Sequence, residues 1–231
     1  MKKANGFEVY SGPSQLNGAP IKAILTATQR PSANPKTADM LQLWIMPANV
    51  KPNEAVKTGD DSAVCGDCPA RPINAKKAGI TPCYVNTHQA PLSVFKTEYP
   101  VERDYGTRNA PIRLGAWGDP AALPFETVRG LLVDQNNHTG YTHQWRTCDP
   151  RFKTLLMASV DTESEAIEAQ DAGWRTFRVI RLNQNCDDSA RMNHEIQCPA
   201  SNEAGKRTTC ADCRLCRGTS NNAKSIVIMA H

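Results

Sequence analysis

Short apolar runs set the first elements. Ile21 to Thr26 reads as a strand, and Met40 to Met46, apolar on both faces and bounded by Pro47, reads as a buried strand. Upstream, Met1 to Pro20 carries turn residues with little periodicity, which predicts an irregular entry segment. Arg30 to Pro35 is a loop by its prolines, and Pro47 to Cys83 is a long connection rich in Gly, Pro, Asp and Lys. A loop of that length needs a metal or a functional role to stay ordered.

From Ala90 the chain alternates. Pro91 to Tyr99 predicts a helix, Ile112 to Ala116 a strand, Pro124 to Asp134 a helix, Gly140 to His143 a short strand and Leu155 to Val160 another. Thr162 to Ala172 is the clearest helix: Thr162 and Glu165 form a capping box and Gly173 is a natural stop. Asp161, Glu163, Glu165, Glu168 and Asp171 read as its solvated face and a complement to the helix dipole. Thr176 to Ile180 and Ile226 to Ala230 complete the strands.

Strand–helix alternation implies a parallel sheet covered by helices. The fold class expected is α/β, a partial (β/α) barrel, in a single domain over residues 1–231. Within it lie the entry segment 1–20, a cysteine-containing loop 47–89, a β/α core 90–185 and a cysteine-rich C-terminal segment 186–231 with the last strand. In such folds the working end is where strands finish. Trp117-Gly118-Asp119-Pro120, His143-Gln144-Trp145-Arg146, Asp161 and Arg181 follow strands and should gather at one mouth, within reach of the cysteine loop.

Composition narrows the setting. No apolar run approaches the ~20 residues of a membrane span, and the start of the chain has no apolar stretch typical of a secretory signal. A cytoplasmic protein without a membrane partner is expected. A net charge of +4 with no basic run does not argue for nucleic acid by itself.

The nine cysteines carry the chemistry. In a reducing compartment, close spacings point to metal or redox chemistry more than to disulfides. Cys65-Gly66-Asp67-Cys68 is followed after fourteen residues by Cys83, and Cys198 after eleven by Cys210-x-x-Cys213-x-x-Cys216. A Cys-x-x-Cys turn lets two thiolates converge on one ion. The C-terminal four can close a site unaided and suit either zinc or an iron–sulfur cluster. The N-terminal three have a fourth ligand, with His88 and Cys148 as candidates, or an open position able to take substrate or cofactor. Cys148 and Cys186 otherwise read as ordinary buried thiols, and His138 receives no role.

Asp119 at a sharp turn could offer a carboxylate to an amino group or serve only its local backbone donors. His143, Trp145 and Arg146 could bind an anion or stack on a base.

The succession Cys65-x-x-Cys68, Cys83-Tyr84-Val85, Gly115 to Pro120, Gly140 to Arg146, Met157 to Asp161 and Cys198-Pro199-Ala200 with Cys210, Cys213 and Cys216 resembles an uncharacterised family of bacteriophage proteins. More distantly, the arrangement is similar to radical S-adenosylmethionine (SAM) enzymes. That resemblance implies a partial barrel, a cluster on Cys65, Cys68 and Cys83, and SAM held at Gly118, Asp119 and Pro120. It further implies that His143, Trp145 and Arg146 face the substrate and that the C-terminal cysteines hold an auxiliary site. The spacing differs, since the radical-SAM pattern is C-x-x-x-C-x-x-C. A phage protein of this kind would work in the cytoplasm of an infected bacterial host. The competing expectation is a zinc-stabilised protein that binds nucleic acid or a host protein through Arg146, Arg151, Lys153, Arg175, Arg178 and Arg181.

Overall fold

The computed structural model of the protein describes residues 4–32, 34–101, 107–132, 137–180, 191–220 and 222–230. These form a mixed α/β fold with two five-stranded sheets. The first contains β1 (Gly6–Pro13), β2 (Pro20–Thr26), β3 (Leu41–Pro47), β4 (Ile112–Trp117) and β5 (His138–Thr139), in that order. Strands β1, β2 and β3 are antiparallel neighbours, whereas β3, β4 and β5 are parallel. The second sheet is parallel throughout. It contains β6 (Tyr141–Thr142), β7 (Met157–Val160), β8 (Thr176–Ile180), β9 (Glu195–Gln197) and β10 (Ser225–Met229), in the order β6-β7-β8-β10-β9.

Gly140 joins the two sheets. It separates β5 from β6, donates its N–H to Cys216 O at 2.8 Å and accepts from Met157 N–H at 3.1 Å. A Cβ there would meet Leu156 Cδ2 at 2.6 Å and Leu114 Cβ at 3.0 Å, so the close approach of the sheets requires glycine.

Helices separate β3 from β4, β4 from β5 and β7 from β8, but the sheets do not close as a barrel. The reason lies at the edges: an antiparallel β1–β2–β3 meander begins the first sheet, and β9 lies at the edge of the second. The entry segment expected to be irregular is itself corrected by this meander. Tyr10 to Pro13 pair with Pro20 to Ala23 across a bulge between Glu8 and Tyr10. Pairing with β2 overrides the poor strand propensity of Gly6, Gly12 and Pro13, which long-range contacts commonly do.

The expected β2, β3, β4, β7, β8 and β10 lie where the apolar runs placed them, within a residue or two. The long loop after β3 is ordered by three short helices, α1 (Pro52–Thr58), α2 (Ser62–Cys65) and α3 (Pro72–Ala78). Proline opens α1 and α3, and Gly59 and Gly79, with φ of 92° and 65°, stop them. Helices α4 (Ala90–Lys96), α5 (Phe125–Leu131) and α6 (Glu163–Asp171) follow, with α7 (Cys210–Cys213) in the C-terminal segment. In α6, Thr162 Oγ1 accepts from Glu165 N–H at 3.1 Å, while Glu165 Oε2 accepts from Asp161 N–H at 2.9 Å. The box thus reaches back one residue further than the usual reciprocal pattern.

The main core gathers β2, β3 and β4 with α2 and α5, and β7 with α6, through Ile21, Leu41, Leu43, Leu114, Val128, Ala158 and Ala166. A smaller core joins Met157, Ile226 and Ile228 with Cys198 and Cys216, so the C-terminal cysteines belong to the packing of the parallel sheet. Among the described residues no helix is long and apolar enough to cross a membrane.

Candidate functional site

Parallel strands β3, β4, β6 and β7 deliver their following residues to one end of the sheets. After β3, helix α2 ends at Cys65, and Gly66 with φ of 56° turns the chain so that Cys68 N–H reaches Cys65 O at 3.1 Å. A Cβ on Gly66 would overlap the Gln144 carboxamide at 2.4–2.6 Å. Cys83 is brought back to this turn by its own N–H, which donates to Ala70 O at 2.7 Å. Arg71 clamps the turn from outside. Its guanidinium donates to Gly66 O at 2.8 Å, Gly59 O at 2.9 Å and the buried Asp61 carboxylate at 2.6 Å.

Asp119 fastens three segments together. Its N–H donates to Val64 O at 2.6 Å, Oδ1 accepts from Ala121 N–H at 2.9 Å, and Oδ2 accepts from His143 N–H at 2.9 Å. Burial pushes the carboxyl pKa up, and these hydrogen bonds, with His143 nearby, oppose the shift. Of the two sequence readings, the structure shows the carboxylate serving backbone donors. Gly118, with φ of 86°, lies so close to β3 that a Cβ would meet Ile45 O at 2.4 Å, and Pro120 opens a 3-10 turn.

His143 Nε2 stands 3.9 Å from Cys68 Sγ and 3.8 Å from Asp161 Oδ2. Of the three residues expected to face a substrate, His143 therefore lies beside the cysteine set. Trp145 is buried in the main core. Arg146 stacks on its ring at 3.9 Å and makes a fork to Glu168 at 2.8 and 2.6 Å. Gln144 donates to Asp67 Oδ1 at 2.7 Å and to Cys65 O at 3.3 Å, bracing the turn.

Of the expected fourth ligands, His88 is exposed, with its N–H on Asn86 Oδ1 at 3.0 Å. Cys148 lines a cleft of about 890 Å³ together with Gly66 and Asp67 of the cysteine turn, its braces Arg71 and Gln144, and Phe152. Cys186 and Arg181 lie outside the described residues.

The thiols of the N-terminal set sense one another. Burial pushes Cys65 well above the ordinary thiol pKa, with the charges of Cys68, Asp61, Cys83 and Asp119 adding to it. Burial likewise pushes Cys68 up to about 12, with Cys83, Asp119 and Asp161 contributing against a hydrogen bond from Ala70. Burial raises Cys83, opposed by a hydrogen bond from Val85 and the charge of Arg113. Such a group resists becoming anionic alone, and a bound cation would relieve the mutual repulsion. The donor types are those of a metal site, although among the described residues no three of them are positioned to hold an ion.

The C-terminal set is built differently. Cys210 and Cys213 open and close α7, capped by Thr209 Oγ1, which accepts from Asp212 N–H at 3.3 Å. Arg214, at φ of 49°, turns the chain so that Cys216 returns to the sheet, where its carbonyl accepts the Gly140 N–H. Cys198 N–H donates to Val227 O at 2.9 Å, and Cys210 N–H to Lys36 O at 2.9 Å. All four line one small cavity of about 40 Å³ with Tyr141, Phe177, Ile226 and Ile228. Burial raises Cys216, opposed by a hydrogen bond from Tyr141, with Cys198, Cys210 and Cys213 adding to the rise. Among the described residues, however, no group of three or more His, Cys, Asp or Glu side chains is positioned to hold a metal ion.

The arginines expected to contact phosphates are engaged internally. Arg146 pairs with Glu168, and Arg151 with Asp149 and Glu126. Arg178 forms a buried fork with Glu195 at 2.9 and 2.6 Å. The Arg175 guanidinium points into backbone carbonyls of Leu215, Gly218, Ala223 and Lys224 at 2.6–3.0 Å, and of Arg217 at 3.4 Å. Sequence reading missed these partners, along with Asp61–Arg71 and Tyr141–Cys216; all but Arg151–Asp149 join residues ten or more apart along the chain. His138 is also buried, with Nε2 2.9 Å from Leu155 O. No protein-family model, curated protein or solved structure matches the chain.

Proposed function

We propose that the protein is a cysteine-ligated metalloprotein, a radical-SAM-like iron–sulfur enzyme with the two sheets as an incomplete barrel. In this reading it is of bacteriophage origin and acts in the cytoplasm of the infected host. The observation that carries it is Cys68 Sγ beside His143 Nε2, itself beside Asp161, where strands β6 and β7 end and α/β folds bind their ligands, with Cys65 and Cys83 in the same loop. Cys65, Cys68 and Cys83 would hold the cluster, and Cys198, Cys210, Cys213 and Cys216 a second metal. Such a cluster, once reduced by an external electron donor, would supply the electron that radical-SAM chemistry needs.

The chain's own residues prepare that site. Arg71 and Gln144 hold the Cys65–Cys68 turn in shape, and Asp119 ties it to the end of β6, setting the position of His143. His143 can accept or donate a proton at Nε2 toward Asp161 or a bound substrate.

A second reading, zinc, rests on a specific observation. His143 Nε2 at 3.9 Å from Cys68 Sγ brings a fourth donor, and a Cys3His set would close a tetrahedral structural site. The function would then be binding of nucleic acid or a host protein. The deciding experiment is metal and sulfide content with ultraviolet–visible spectra of anaerobically purified protein, alongside Cys68→Ala and Cys213→Ala. Brown protein with iron and sulfide, reduced in each variant, supports the enzyme reading. Colourless protein with about two zinc ions, one lost per variant, refutes it in favour of zinc.

A further inference from the structure

Arg113 lies on β4, is partly exposed, and pairs in the sheet with Thr139 of β5, which lines the cavity of the C-terminal cysteines. Its Nη2 donates to Tyr84 Oη at 2.6 Å, and Tyr84 directly follows Cys83. Its charge also acts on Cys83 of one set and on Cys210 of the other, and on Tyr141, whose hydroxyl donates to Cys216. Several enclosed guanidiniums reach carboxylates or a ring of carbonyls: Arg71 meets Asp61, Arg178 meets Glu195, and Arg175 meets backbone carbonyls. Arg113 has no carboxylate partner among the described residues, and its hydrogen-bond partner is a neutral hydroxyl.

A half-buried guanidinium left with one neutral partner presents most of its donor fork to whatever enters. The matching chemistry is a planar or tetrahedral oxyanion, taken by two parallel N–H donors. Tyr84, whose side chain is largely exposed, supplies an adjoining hydroxyl at the rim, and Tyr141 an aromatic wall. We propose that Arg113 anchors an oxyanion subsite between the two cysteine sets, which takes the carboxylate or phosphate group of a small-molecule ligand. The subsite does not depend on which metal the cysteines hold, and under the enzyme reading it makes the substrate an anion.

The test uses the full-length protein as purified and after chelation, with succinate and inorganic phosphate as probes and sodium chloride at matched ionic strength as control. Arginine modification by phenylglyoxal, mapped by peptide mass spectrometry, reads Arg113 in the unaltered chain. Succinate or phosphate should slow modification of Arg113 at least about fivefold while leaving exposed arginines such as Arg129 unchanged, and the better protector names the ligand class. Calorimetry should show Arg113→Gln weakening that probe about tenfold or more, the loss of a charge-assisted fork, with Arg113→Lys in between. Equal modification with and without both probes overturns the proposal even if the variants fail to fold. Binding seen only after chelation also overturns it, because the guanidinium would then belong to the metal centre. Metal content is no part of this readout, so its outcome leaves the metal reading untouched.

Discussion

Replacing Arg175 by methionine should loosen the C-terminal cysteine segment from the sheet. Arg175 lies at the start of β8, 9% exposed, and its fork collects the carbonyls of Leu215, Gly218, Ala223 and Lys224 at 2.6–3.0 Å. Methionine preserves the aliphatic stem but removes every donor. Some freed carbonyls can turn to water because Lys224 is exposed, whereas Gly218 is buried. Counting about 1 kcal/mol for each carbonyl left unpaired, and allowing for that relief, the expected loss is about 2–4 kcal/mol. For a chain of this size that lowers Tm by roughly 4–16 °C. Urea unfolding measures the loss, and iodoacetamide labelling with mass spectrometry measures the local effect. Cys216, 8% exposed and with its thiol pKa raised by burial, should label slowly in the parent and several-fold faster in Arg175→Met. Arg175→Lys, keeping one charged group without the fork, should fall between. A loss under about 1 kcal/mol with unchanged Cys216 labelling would refute the reasoning.

Other substitutions probe the rest of the frame. Gly140→Ala should cost about 1–3 kcal/mol in urea unfolding, since its methyl meets Leu114 Cβ at 3.0 Å and Leu156 Cδ2 at 2.6 Å; Leu156→Ala in the same chain should recover part of that. Glu195→Gln should destabilise by about 3–5 kcal/mol because Arg178 is left buried without its fork, and Arg178→Met with Glu195→Leu should lose less. An equal loss in the single and double variants would contradict this. The Asp119 pKa is raised in the folded protein, so the folded state holds that proton more tightly than the unfolded one. Its contribution is therefore greatest at low pH and falls as pH rises from about 4 through the folded value. Asp119→Asn should carry a penalty that is largest at low pH and shrinks toward neutral pH; a penalty that grows with pH would be the wrong sign.

Local chemistry made much of the architecture legible. Runs such as Leu41 to Met46 are long enough to bury on both faces, Thr162 with Glu165 and Gly173 bounds a helix by capping alone, and Pro and Gly punctuate the loop after β3. The cysteine spacings marked both sets, and the rule that strand ends converge placed His143, Asp161 and Asp119 at one mouth. The amino-acid sequence by itself thus determined the alternation of elements and the two groups of thiols. Tertiary structure alone decided the antiparallel entry of β1, the glycine join between the sheets, and the open rather than closed curvature. It also decided which polar side chains are spent: Asp119 on backbone donors, Arg146, Arg175 and Arg178 on internal partners, and Arg113 left between the thiol sets. The physical reason is range. Capping, turns and periodicity act over a few residues, whereas the partner that satisfies a buried charge can lie forty residues away, as Leu215 does from Arg175, and only folding brings it there.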